Sequence, residues 1–111
     1  MPTPKPQIDR LFHALADPTR RAILDHLTGG PMSVSRLAEP LGVTLTAVAQ
    51  HLQILEEVGL VHTEKLGRVR TCRIETAGFR ALERWIRDHR IAWERKLDRL
   101  GELLAEEDEH R

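Results

Sequence analysis

The sequence predicts a mainly α-helical domain that carries one small β-hairpin and a long C-terminal helix. Three observations lead there. Apolar residues recur every three or four positions in five separate segments, which is the spacing of one helical face. Only residues 60–74 switch to β-forming side chains. The last segment keeps its helical period through Phe79, Leu82, Ile86, Trp93, Leu97, Leu100 and Leu104.

The elements follow in order. Three prolines among the first six residues argue against a helix there, so residues 1–7 read as a flexible arm ahead of a single domain over residues 8–111. Ile8, Leu11, Phe12 and Leu15 then mark a first helix that ends near Ala16. Asp17 before Pro18 is a helix start, because the carboxylate accepts from free first-turn amides and proline loses nothing at the first helical position. Ala22, Ile23, Leu24 and Leu27 supply the inner stripe of this second helix, and Gly29, Gly30 and Pro31 stop it. Ser33 is a cap-type residue opening a two-turn helix with Val34, Leu37, Ala38 and Leu41 inward and Pro40 and Gly42 at its end.

Only Gly42 and Val43 separate that helix from Thr44, a second cap, after which Leu45, Val48, Leu52, Leu55 and Val58 repeat at helical spacing. Two helices joined by a tight glycine-containing turn form a helix-turn-helix, with a recognition helix over about residues 44–58. Val61, Thr63, Val69, Thr71 and Ile74 then build a hairpin, the wing, over about residues 60–75, with Gly67 near its tip. The final helix covers about residues 76–106, and some thirty residues at 1.5 Å each make it roughly 45 Å long. That exceeds the width of a domain of this size, so the helix calls for a partner. The whole order is that of a winged helix-turn-helix.

Composition excludes several classes. With 111 residues and 12.7 kDa there is room for one ordinary domain, and a chain this short gains stability from pairing with a second copy. Hydrophobic residues at 41% and charged residues at 31% exclude an extended disordered chain and a membrane-embedded one. No apolar run resembles a signal peptide or a membrane span, which points to a cytoplasmic protein with no membrane partner. Seventeen basic residues balance seventeen acidic ones. The distribution is uneven, however: Lys65, Arg68, Arg70 and Arg73 form a basic cluster on the hairpin, and residues 102–109 hold five acidic side chains and no basic one.

At these positions the sequence resembles a known family. "FHALADPTRRAILDHL" at residues 12–27, "LAEPLGVT" at 37–44, "AVAQHLQILEEVGLV" at 47–61 and "GRVRTCRI" at 67–74 are similar to the ArsR/SmtB family of bacterial transcriptional repressors. The resemblance runs from about Ile8 to the end, and is strongest to the subgroup whose long C-terminal helix carries tryptophans, here Trp85 and Trp93. It implies a DNA-binding homodimer. The pairing would use Ile8, Leu11, Phe12 and Leu15 on the first helix with Trp85, Trp93, Leu97, Leu100 and Leu104 on the last. A symmetric pair presents two reading heads to an inverted repeat whose half-sites lie about one helical turn apart.

The residues themselves carry a reading of double-stranded DNA as the partner. The first turns of a recognition helix reach base edges in the major groove, which nominates Thr44, Thr46, Gln50 and His51. Gln50 is the sharpest candidate, since its amide donates and accepts at once against adenine. Thr44 caps the helix and contacts DNA compatibly, whereas for His51 packing against the preceding helix stands beside base reading. Lys65, Arg68 and Arg70 would meet phosphates or the minor groove, and Ser33 a further phosphate. Leu45 and Ala49 fill positions where relatives often carry polar side chains, so specificity leans on thymine methyls and DNA shape.

Many members of the resembled family sense metals, yet their paired cysteines on the small helix are here Ser33 and Ser35, and neutral hydroxyls do not replace thiolates. Asp88 and His89 are adjacent, so the family's spread of Asp and His on the last helix is missing too. Six histidines leave an intersubunit zinc or nickel site open as an alternative, together with an unidentified inducer. No metal ligand is assigned and no cofactor is expected. Cys72, the single cysteine, reads as a small buried hydrophobe, with a thiol switch as the alternative. A winged helix used only for protein contact is a competing function that needs neither a basic wing nor a polar helix start. Asp17, His26 and Cys72 form no recognisable catalytic motif, and an enzyme is not expected.

Overall fold

In the computed structural model, residues 5–109 are described. They form α1 (Lys5–Ala16), α2 (Pro18–Leu27), β1 (Met32–Ser33), α3 (Val34–Leu41), α4 (Leu45–Glu57), β2 (Val61–Leu66), β3 (Val69–Ile74) and α5 (Thr76–Glu109). The first helix begins earlier than expected. Residues 5–7 of the anticipated arm are already helical, because Pro6 falls in the first turn, where a missing amide N–H costs no hydrogen bond. Residues 1–4 lie outside the described ones.

The break between α1 and α2 is held by one short motif. Asp17 leaves the helix at an extended φ of −84° and ψ of 125°, and its Oδ2 accepts from the Arg20 amide at 2.9 Å. Arg20 then turns back and is almost wholly buried, 8% exposed. Its Nε donates to the Ala14 carbonyl at 2.6 Å and its Nη2 to the His13 carbonyl at 3.0 Å, while Arg21 Nη1 donates to the Leu15 carbonyl at 2.7 Å. The last carbonyls of a helix lack intrahelical partners and carry partial negative charge, so two guanidinium groups satisfy both needs of α1. The sequence marked Asp17 as a cap; Arg20 as a buried clamp was not anticipated.

One apolar core joins the elements. Ile8, Leu11 and Ala14 of α1 meet Ile23, Leu24 and Leu27 of α2, Leu37 of α3, Val48, Leu52 and Leu55 of α4, and Leu60, Val61 and Cys72 of the wing base. Burying each larger aliphatic side chain stabilises the fold by roughly 1.5 to 3 kcal/mol. The expected α4 stripe needs one correction: Leu45 is 55% exposed, on the outer face of the first turn, and the buried set starts at Val48.

The sheet has three antiparallel strands in the order β1-β3-β2, with Met32 opposite Cys72 and Val61 opposite Ile74. Strand β1 was not read from the sequence, because two residues have no period. At the wing tip Leu66 faces Val69 across a two-residue loop, and Gly67 takes the positive φ of 66° that the first position of a type II′ hairpin turn requires. Cys72 is fully buried, its Sγ donates to the Met32 carbonyl at 3.2 Å, and burial pushes its thiol up to about 11. It is the small buried hydrophobe that the sequence predicts, protonated at neutral pH.

Helix α5 leaves the core through a narrow contact. The Gly78 amide donates to the Gly59 carbonyl at 2.8 Å, and a Cβ on Gly78 would stand 2.6 Å from the Val58 carbonyl oxygen. Gly78→Ala is therefore expected to lower stability by about 1 to 3 kcal/mol in urea unfolding, despite alanine's better helix propensity. A stability equal to or above that of the native chain would refute this close approach. Beyond Trp85 the rest of α5 is exposed, and the described chain measures 73 × 32 × 23 Å. Its radius of gyration, 19.9 Å, compares with about 13 Å for a compact domain of this length. The excess is the projecting helix.

Candidate nucleic-acid interface

The helix-turn-helix is fixed by its caps. Ser33 Oγ accepts from the Arg36 amide at 3.3 Å to start α3, and Gly42, at φ 64°, closes it by donating to the Ala38 carbonyl at 3.1 Å. Thr44 Oγ1 accepts from the Ala47 amide at 3.1 Å to start α4. Both side chains thus act as caps, and Thr44 is exposed while Ser33 is half-buried.

Thr46, Ala49, Gln50 and Gln53 form the outer face of α4, all exposed. Between this face and the wing runs a groove of about 280 Å³, also lined by Glu56, Thr63 and Arg70. Glu56 sets its width. Its two carboxylate oxygens accept from the Thr63 amide at 3.1 Å and the Thr63 hydroxyl at 2.9 Å, which ties β2 to the last turn of α4. Lys65 and Arg70 are directly paired in register and Arg68 sits in the tip loop, all three exposed. Gln53 and Glu56 were missed in the sequence, although Gln53 lies three residues after Gln50 and seven after Thr46, the spacing of their own face.

His51 behaves differently from the other candidates. It is half-buried, with Nδ1 3.4 Å from Arg20 Nη1 and 4.0 Å from Asp17 Oδ2. These contacts turn His51 toward the start of α2, so it joins α4 to α2 rather than standing in the exposed row. The Asp17 carboxyl is held below its ordinary 3.8, first by the hydrogen bond from the Arg20 amide and then by the Arg20 charge. Its folded value is depressed, so its contribution to stability is complete above that ordinary value and is lost as pH falls through the lowered one.

The expected pairing surface divides in two. Ile8 and Leu11 belong to the protomer's own core and are not available to a second copy; they lie on the inward face of α1. Leu15 is half-buried against that core. Phe12 is exposed and meets Trp85 edge to face, with centroids 5.0 Å apart, and Trp85 stacks on His89 at 4.0 Å. Trp93, Leu97, Leu100 and Leu104 are each more than half exposed on α5. Among the described residues no group of three or more His, Cys, Asp or Glu side chains is gathered for a metal ion.

Residues 15–64 match a family model described as a helix-turn-helix domain. The HTH-type transcriptional regulator Rv2034 of Mycobacterium tuberculosis is 38% identical over 99 residues, which span 89% of this chain and 90% of that one. The crystal structure of the ArsR family transcriptional regulator RHA00566 superposes with a TM-score of 0.78 at 45% identity, covering 85% of this chain and 97% of that one. The chain belongs to the ArsR family of transcriptional regulators. The homodimeric winged helix-turn-helix DNA-binding domain Mb0332 of Mycobacterium bovis, described as a possible ArsR-family transcriptional regulator, superposes with a TM-score of 0.61 at 32% identity, covering 80% of this chain and 81% of that one. ArsR-family relatives are regulators of transcription, not enzymes. No described helix of this ArsR-family chain is long and apolar enough to cross a membrane.

Proposed function

We propose that the protein is a homodimeric, sequence-specific DNA-binding repressor that reads an inverted repeat. The observation that carries this reading is the exposed face of α4, with Thr46 and Gln50 at its centre, lying across one groove from the basic wing. In this reading Gln50 reads adenine in the major groove and Thr46 contacts a neighbouring base or phosphate. The exposed Leu45 takes a thymine methyl, which accounts for an apolar side chain left in water on the first turn. Ser33 and Thr44 hold phosphates beside their caps, and Lys65, Arg68 and Arg70 neutralise phosphates flanking the groove. His51 acts from behind, through Arg20 and Asp17. Support for the twofold assembly comes from the unpartnered apolar stripe of α5 and from the homodimeric relative Mb0332. An occupied repeat within a promoter excludes polymerase, which is the repressor's sense of action.

The test is fluorescence anisotropy on selected and random duplexes at two salt concentrations. Arg68→Ala with Arg70→Ala is expected to weaken binding to every duplex alike and to reduce the salt slope by about two units, one per phosphate contact. Gln50→Ala is expected to change base preference at one position by about 1 to 3 kcal/mol with the salt slope unchanged. Identical profiles for the two variants would overturn these roles, and a native protein that ignores duplexes in dilute buffer would overturn the function.

A further inference from the structure

Glu56 ends the outer face of α4. It follows Gln53 by about one turn and Ala49 by about two, and so continues the row that holds Gln50. Of the described residues lining the groove between α4 and the wing, it is the one carboxylate. An acid on a surface that meets phosphates is unfavourable by itself, because binding to DNA is driven by cations that displace counterions. Its place there calls for a compensating use.

That use is visible in its bonds. Both oxygens are turned to Thr63, one accepting from the amide at 3.1 Å and the other from the hydroxyl at 2.9 Å. Arg70 lines the same groove, yet neither it nor Lys65 has a carboxylate within 4 Å among the described residues. Thr63 is the last residue of β2 that is even half-buried, and residues 64–70 are all exposed. Side chains alternate along a strand, so Thr63 and Lys65 share one face of the hairpin with their partners Cys72 and Arg70. The Glu56 bonds therefore hold the hairpin where it leaves the body, just before the basic pair. From Thr63 to Leu66 is about 10 Å of extended strand, so a small rotation at Thr63 displaces the tip far more than Thr63 itself.

We propose that Glu56 is a positioning residue that sets sequence specificity, by holding the wing at one distance from the face of α4 that reads bases. The inference rests on the DNA-binding reading above and assigns a residue outside the contacts named there. Phosphate contacts carry no sequence information, but they fix the register of the protein on the duplex. A wing tied to α4 gives Gln50 and the wing cations one common register. A loose wing still meets phosphates on any duplex, but it has to be ordered whenever Gln50 engages its base, and that cost falls only on the cognate complex. The charge of Glu56 acts differently: it weakens binding to all duplexes alike and fades with salt.

Three variants separate the tie from the charge. Glu56→Ala removes both, and Thr63→Val removes the hydroxyl bond while keeping the charge. Glu56→Gln removes the charge and keeps the tie, since the new carbonyl accepts from the Thr63 amide and the new NH2 donates to the hydroxyl. Anisotropy on a selected and a random duplex, in dilute and in moderate salt, gives the specificity ratio of each. In dilute buffer Glu56→Ala is expected to bind random duplex about threefold more tightly and selected duplex about threefold more weakly, about a tenfold fall in the ratio. Thr63→Val is expected to leave random binding unchanged and to weaken selected binding about threefold. Glu56→Gln is expected to bind both duplexes about threefold more tightly and to keep the native ratio to within about twofold. A ratio that falls as far in Glu56→Gln as in Glu56→Ala would assign specificity to the charge and overturn the positioning role. So would a native ratio in all three variants, even with lower stability in urea, since the bonds would then only brace the hairpin. Either result leaves the DNA-binding reading standing, whereas a native chain that binds neither duplex overturns both.

Discussion

Replacement of Leu97, Leu100 and Leu104 together by glutamate is expected to give a folded monomer with a severe loss of operator affinity. The three leucines are more than half exposed and lie outside the buried core, so the core from Ile8 to Ala81 is untouched by the change. Covering the exposed half of each contributes about 1 kcal/mol, and a pair of chains holds six. Their removal shifts the dimerisation constant by several powers of ten. A single head then binds without the effective concentration supplied by its twin, and affinity for an inverted repeat falls by about a hundredfold or more. Sedimentation equilibrium and anisotropy measure the two effects, with circular dichroism to check that the head remains folded. A triple variant that still pairs as the native chain does would remove α5 from the dimer.

The second large effect is expected at Arg20. Arg20→Ala strips the charged donor from the carbonyls of His13 and Ala14, one of them in a buried hydrogen bond, and also from His51. Hydrogen bonds to charged groups contribute about 1.5 to 3 kcal/mol each. The expected loss is about 3 to 5 kcal/mol in urea unfolding, a large part of the total stability of a small domain. Arg21→Ala is the control. Arg21 makes a single, exposed bond to the Leu15 carbonyl, and its loss should cost about 1 kcal/mol or less. Equal losses for the two variants would show that Arg20 does not clamp α1. Because His51 connects Arg20 to α4, the Arg20 variant should also bind DNA more weakly at temperatures where it remains folded.

Much of the candidate interface was legible because it depends on local chemistry. Ser33, Thr44 and Asp17 were readable as caps, since a short side-chain oxygen three residues before a helical amide satisfies that amide wherever it occurs. Gly67 was readable as the wing tip for a similar reason, a backbone angle that other residues rarely adopt. Gln50 and Thr46 followed from their place on the first turns of α4. Leu45 was misplaced because a helical period of three or four admits it to the inner stripe, whereas the position of α3 and the wing leaves the first turn of α4 outside the core. Arg20 and Glu56 were missed because their partners lie on other elements, at the end of α1 and on β2.

What the sequence determined by itself is the order of helices, the turn between α3 and α4, the basic hairpin and an apolar stripe too long for one domain. All of these arise from interactions between residues a few positions apart, where spacing and side-chain type are sufficient causes. The tertiary structure alone decided that Ile8 and Leu11 face inward while Phe12 faces out, that His51 turns toward Arg20, and that Arg20 folds back onto the end of α1. Those outcomes depend on which faces meet across distant parts of the chain, and packing of that kind leaves no periodic trace along a single segment.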